Sequence, residues 1–221
     1  VREQDINALH VWPRESWEYV PTDEDDVEAV LACCSHGQDL SPPRQNQLQS
    51  FCADVAADEA ARHGLVVQIF HGSADHADSG HASSWHPAFI RSFARHVVRH
   101  PDVRYDLFLG TRIPDHETVS VARRHPNLMV SGAWWHAFTP RTMLGFFRDR
   151  LEMLPNTAWN AFYSDAYVIE WLYAKLQLTK NRLAHALAGM VEEGFLTRDD
   201  VPEIARKVLY ENPVKHYRLE G

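Results

Sequence analysis

Apolar positions recur along the chain in two alternating rhythms. Short runs of near-continuous or every-second hydrophobicity predict strands at Ile6 to Trp12 (INALHVW), Leu65 to Gly72 (LVVQIFHG), Val103 to Gly110 (VRYDLFLG), Asn127 to Gly132 (NLMVSG) and Thr157 to Ser164 (TAWNAFYS). Longer amphipathic segments predict the helices between them. These are a short one from Asp26 to Cys34, one opened by Ser41 and two prolines and stopped at Gly64, then 88–100, 114–125 and 140–154. A long helix is expected from Ala166 to Glu193, with Trp171, Leu172, Leu176, Leu183 and Leu187 at helical spacing, and a last one follows Thr197. The Ser-, Gly-, Asp- and His-rich stretch SADHADSGHASSWHP (73–87) reads as a long loop.

Five strands, each followed by a helix, imply an α/β fold with a parallel sheet. An open doubly wound sheet and a closed (β/α)8 barrel both satisfy that order. No GxGxxG turn follows any strand, so a dinucleotide fold has no support. A complete barrel needs about 250 residues and eight strands, so on the barrel reading these residues are its C-terminal part.

Composition narrows the function. A chain of 221 residues, 45% hydrophobic, can bury the core of a single domain, 1–221. The net charge of -8 and the lack of a basic stripe argue against nucleic acid. No apolar run reaches the ~20 residues of a membrane span, so a soluble, cytoplasmic protein is expected. The cysteines Cys33, Cys34 and Cys52 form no CxxC pair or disulfide framework and are expected to be reduced.

In parallel α/β sheets, chemistry gathers after the C-terminal ends of the strands. Those ends carry His10 and Trp12, His71, Arg112, Trp134-Trp135-His136 and Asp165. Asp165, between a strand and a long helix, is either a helix N-cap or a metal ligand and base, and the two roles compete for the same oxygens. His71 and His10 are candidate metal ligands or ordinary strand-end histidines. Two adjacent tryptophans at a strand end cannot both face one core, so one is expected to wall a pocket. Arg112 is either a partner for a substrate carboxylate or a surface arginine. His76, His81 and His86 match no chelating motif, and no GxSxG elbow or Cys–His pair offers a nucleophile.

The segments LVVQIFHG, NLMVSGAWWHAFTP, LPNTAWNAFYSDAYVIEWLYAKLQL and EIARKVLYENPVKHYRL, in this order and spacing, resemble the C-terminal part of uronate (glucuronate) isomerases of the amidohydrolase superfamily. The resemblance implies a metal-dependent (β/α)8 TIM-type barrel, with this chain covering roughly strands 4 to 8 and the C-terminal helices. It implies a divalent metal, zinc, and an aldose–ketose isomerisation of a hexuronate or related sugar acid. The alternatives are hydrolysis or decarboxylation of a small carboxylated compound, or a non-catalytic partial barrel completed by another chain. By the same resemblance, Asp165 is expected to hold the metal and act in catalysis, and Trp134 and Trp135 to bind substrate; the strand-end reading adds His71 as catalytic, His71 and His10 as metal ligands, and His136 and Arg112 as substrate-binding. The superfamily's HxH pair is absent from these residues, so N-terminal barrel strands or a partner chain are expected, as is a homo-oligomer. Relatives carry a histidine one place earlier than His71. By the two-residue strand period, His71 then faces the opposite side unless the strand bulges.

Overall fold

The computed structural model describes residues 6–14, 16–36, 39–76 and 80–219. Five strands, β1 (Ala8–Val11), β2 (Val66–His71), β5 (Arg104–Leu109), β6 (Leu128–Ala133) and β7 (Trp159–Asn160), form one sheet in the order β1-β2-β5-β6-β7. Every pairing in it is parallel. The returns run through α1 (Glu24–Ser35) and α2 (Pro42–His63), α3 (Ala88–Arg99), α4 (Asp115–Ala122) and α5 (Pro140–Met153). The order never reverses, whereas a doubly wound sheet reverses at its switch point. The structure is therefore an arc of a barrel, and the open alternative left by the sequence is settled.

The two faces of the sheet have different chemistry. Val67, Ile69, Tyr105, Leu107, Leu109, Leu128, Val130 and Trp159 face outward, where they join Phe89, Phe93, Phe146 and Phe147 of the helices in the main core. Each fully buried side chain of this size stabilises the fold by about 1.5–3 kcal/mol. The alternate residues Gln68, Phe70, Asp106, Phe108, Ser131 and Asn160 face inward.

Two helical boundaries follow from local chemistry. Asp23 caps α1 by accepting the Asp26 N–H at 2.9 Å, and Glu24, Asp25 and Asp26 crowd the positive end of the helix. Gly64 ends α2 in the left-handed conformation, with φ 66°.

Three expectations are corrected. The predicted loop 73–87 contains an antiparallel hairpin, β3 (Ser73–His76) with β4 (Gly80–Ser83); the side chains of His76 and His81 lie outside the described residues. His86 accepts the Ala88 N–H at 3.3 Å at the start of α3. The last strand stops at Asn160, because the Ala161 N–H turns to Val208 O at 2.8 Å instead of a neighbouring strand. The long helix α6 (Ile169–Glu192) starts three residues later than predicted, leaving 161–168 irregular.

The C-terminal elements, α7 (Asp200–Arg206), a π-turn (Lys207–Glu211) and α8 (Asn212–Tyr217), fold back beneath the sheet. Asn212 donates to Asn156 O and Trp159 O at 2.7 and 2.8 Å. Tyr217 reaches the inner face, accepting from Gln68 Nε2 at 2.9 Å and donating to Asp106 Oδ2 at 2.7 Å. Ser131 also donates to Asp106 Oδ2, at 2.7 Å, and accepts from Asn160 Nδ2 at 2.9 Å. One polar layer therefore closes the lower half of the arc's interior.

Candidate active site

Above that layer, at the C-terminal ends of the strands, the inner face becomes aromatic. Phe70 stacks on Phe108 at 4.6 Å and 9°, Trp134 meets Phe70 edge-on at 5.1 Å, and Tyr163 lies 4.3 Å from Phe108. His10 sits on Phe70 at 4.3 Å, and Trp12 meets Trp134 edge-on at 5.5 Å. These rings form the floor and wall of the mouth.

Trp134 reaches this face through a bulge. Phe108 pairs with Ser131, but Leu109 pairs with Ala133, so Gly132 is the extra residue. Without the bulge, Met129 and Ser131 facing inward would place Trp134 outward; with it, Ala133 joins the outer core and Trp134 the inner cluster. Gly132 has φ 26°, and a Cβ there would lie 2.8 Å from Tyr163 N and Cβ, so only glycine lets the 162–163 segment cross so closely.

Asp165 is not a helix cap. The cap position of α6 is Val168, three residues on, and Asp165 sits in the left-handed region with φ 42°. Its Oδ2 accepts the Trp134 indole N–H at 2.8 Å. From the second turn of α6, Lys175 Nζ donates to the carbonyls of Ser164 at 2.5 Å and Asp165 at 3.3 Å, pinning the bend from the other side. The Lys175 ammonium also lies 5.4 Å from the Phe138 ring. Burial lowers the proton affinity of His10, while the Asp165 carboxylate pulls it back up, so the two groups share one field across the mouth. Burial and then Asp165 push the Tyr163 hydroxyl upward, leaving it protonated.

The predicted residues divide accordingly. Asp165, His10 and Trp134 come together. Trp135 follows with φ 48°, exposed and stacked on Trp134 at 6.4 Å, and His136 is exposed beside it at 5.8 Å. His71 does not join them. No bulge interrupts the β2 pairings, so its ring stays on the outer face, fully buried and stacked on Phe89 at 3.7 Å and 3°. Arg112 also leaves the mouth: its guanidinium pairs with Asp149 of α5 at 3.4 Å and lies against Gly145. Lys175 had no sequence signal beyond its helix, because its role depends on the irregular turn before α6. A second cluster, Asp54, His96 and His100, has the donors to hold a metal ion but lies elsewhere. Its visible signal was the HVVRH spacing in the helix after β2.

No family model matches the sequence, and no curated protein matches it. Solved structures do match. Glucuronate isomerase from Caulobacter crescentus superposes with a TM-score of 0.87 at 17% identity, over 100% of this chain and 48% of that one. Uronate isomerase from Thermotoga maritima gives 0.83 at 18% identity, over 93% and 48%.

The chain shares the fold of about half a uronate isomerase.

The uronate isomerase from Bacillus halodurans is similar, with a TM-score of 0.71 over 92% of this chain and 53% of that one. A Lactobacillus casei protein, assigned by inference to the metal-dependent hydrolases, gives 0.67 over 91% and 52%. This chain thus spans about half the length of each of these four proteins. Among the described residues, no helix is long and apolar enough to cross a membrane.

Proposed function

We propose that this chain carries part of the active site of a metal-dependent enzyme that interconverts aldose and ketose forms of a hexuronate or related sugar acid. The observation that carries the reading is the Trp134–Asp165 pair, aimed by a bulge into the mouth of a parallel arc that shares its fold with uronate isomerases.

The donors support a divalent ion at the mouth. A hard carboxylate at Asp165 and an imidazole at His10, whose proton affinity desolvation lowers, are a pair that suits zinc. They are fewer than the three protein ligands usual for a catalytic zinc, so further ligands come from strands outside these residues. When bound, the ion supplies Lewis-acid polarisation of the sugar's carbonyl and hydroxyl oxygens. The chain's own groups do the rest. One Asp165 oxygen is tied to the indole, which leaves the other as the base: it would take the proton from the carbinol carbon and return it to the former carbonyl carbon through an enediol, while the carbinol hydroxyl proton passes to the former carbonyl oxygen. Trp134 and Trp135 give the sugar ring a flat wall, and His136 offers a polar edge beside it.

The test is isomerisation of hexuronates by the complete protein before and after chelation. Activity should vanish on metal removal and return with a divalent ion, and Asp165→Asn should lower kcat by about 10²–10⁴-fold. Undiminished turnover by metal-free protein would overturn the proposal.

A further inference from the structure

The geometry points to a second metal site, structural rather than catalytic, formed by Asp54 Oδ1, His96 Nδ1 and His100 Nε2 at the opposite end of the sheet from Asp165. Asp54 lies midway along α2, while His96 and His100 stand at i and i+4 on the last turn and cap of α3. That spacing puts two imidazoles on one helical face. Both ring nitrogens converge on the same carboxylate oxygen, at 3.1 and 2.8 Å, and all three ligand atoms lie within 4.8 Å of one another. Around a tetrahedral zinc-like ion with bonds of about 2.0–2.2 Å, ligand atoms stand roughly 3.3 Å apart. The two edges from Asp54 Oδ1 to the imidazoles therefore open by only a few tenths of an ångström to admit one, and the two ring nitrogens lie within 4.8 Å of each other.

The surroundings are those of a metal site. Each imidazole has its other nitrogen held by an oxygen, His96 Nε2 by the Tyr105 hydroxyl at 3.2 Å and His100 Nδ1 by the Asp58 carboxylate at 3.4 Å. Such outer contacts fix the ring orientation of metal-bound histidines. The two Asp54 oxygens divide their work, with Oδ1 facing the imidazoles and Oδ2 lying 3.7 Å from Arg99 Nε. The Tyr19 hydroxyl donates to the Asp54 carboxylate, 2.9 and 3.0 Å from its two oxygens, and supplies a fourth polar atom, an oxygen, beside the triangle. The side chains of His96, His100 and Asp54 are only 2%, 10% and 13% exposed, and the Trp17 and Tyr19 rings screen His96 at 5.9 and 5.3 Å. Without an ion, two ring N–H groups must point at one carboxylate oxygen. An ion replaces both inward N–H groups and removes that demand. Tyr105 opens β5, so the ion would staple α2, α3 and the 17–19 segment near the N-terminal ends of the strands.

The ligand class is a borderline divalent cation with nitrogen and oxygen donors, zinc or cobalt. The experiment uses the purified Asp165→Ala protein, so that a metal at the mouth cannot answer for this one. After chelation, Co2+ is titrated and followed by its visible ligand-field bands and by Tm. One equivalent is expected to bind with tetrahedral bands and raise Tm, and His96→Gln/His100→Gln should lose both responses. Asp54→Asn keeps the size and an acceptor for Tyr19, and should weaken binding at least tenfold if the folded double variant cannot be obtained. Absence of tetrahedral bands in the Asp165→Ala protein would leave a hydrogen-bonded network only and overturn the proposal. So would bands that survive the histidine or Asp54 changes.

Discussion

A left-handed backbone at a non-glycine residue costs about 1–2 kcal/mol, and Asp165 holds one between two donors, the Trp134 indole and the Lys175 ammonium. The strain keeps the carboxylate off the helix end, where it would have spent its oxygens on backbone N–H groups. Trp134→Phe preserves the aromatic wall but removes the N–H. A hydrogen bond to a charged group is worth about 1.5–3 kcal/mol, so kcat/KM for isomerisation should fall roughly 10- to 100-fold, with little change in Tm. Asp106 is a second residue whose surroundings decide its behaviour. It is fully buried, and burial raises its pKa to about 7 against the hydrogen bonds from Ser131 and Tyr217. Its Oδ1 has no hydrogen-bond partner among the described residues. The folded state therefore binds this proton more tightly than the unfolded chain, whose aspartates titrate near pH ~4. The stability it contributes is complete below that value and is lost as pH rises through about 7. Asp106→Asn should flatten Tm between pH 5 and 8 and leave the variant the more stable at the upper end, as measured by thermal unfolding. A steeper profile in the variant would contradict this. Asp165 was legible in the sequence because it follows a strand, yet its choice between cap and ligand was not, since that depends on where α6 begins. Lys175 and Asp54 were illegible for a different reason: each meets its partner only through tertiary packing.

At the scale of elements, side-chain direction follows strand parity, and one bulge decides who reaches the site. β2 runs without interruption, so its terminal histidine, His71, stacks on Phe89 behind the sheet. β6 carries the extra Gly132, so its terminal tryptophan enters the mouth. The two-residue period, read from sequence, correctly predicts the direction of His71. Carried unbroken through β6, the same period would turn Trp134 outward; the bulge that turns it inward is set by pairing with β5 and leaves no mark in β6 beyond a glycine. Gly132→Ala should therefore act on both stability and site. The added Cβ would meet Tyr163 at 2.8 Å, and the strain should cost about 1–3 kcal/mol. Activity should fall with Tm, whereas Arg112→Gln, in the connection before α4, should leave kcat/KM within about twofold because it breaks only a half-exposed ion pair. Loss of activity in Arg112→Gln would mean that the arginine swings into the mouth. The predicted order of strands and helices was largely right because local periodicity encodes it. The 73–87 hairpin was missed because its residues have loop composition and hold together through cross-strand pairing.

For the molecule as a whole, the arc is closed from below and on one side but left open on the other. Tyr217 seals the inner polar layer, and Tyr217→Phe should lower unfolding free energy by about 1–3 kcal/mol through the two hydrogen bonds it makes. The π-turn and α8 cover the β7 side through Ala161–Val208 and Asn212–Trp159. β1, by contrast, pairs with β2 alone among the described residues and spans four residues. An unpaired edge beside a half-formed barrel is where further strands would add. On the proposed reading, the further ligands that Asp165 and His10 would need lie on strands that would adjoin β1. Backbone protection should record this order. In hydrogen exchange, amides of β5 and β6, paired on both sides, should be the slowest and those of Ala8–Val11 among the fastest strand amides. Adding the complementing strands, in the same chain or another, should slow β1 exchange selectively and bring metal-dependent isomerisation with it. If β1 were already protected to the level of β5 in this chain alone, its edge would be covered by something other than further strands, and the site would have to find its remaining ligands elsewhere.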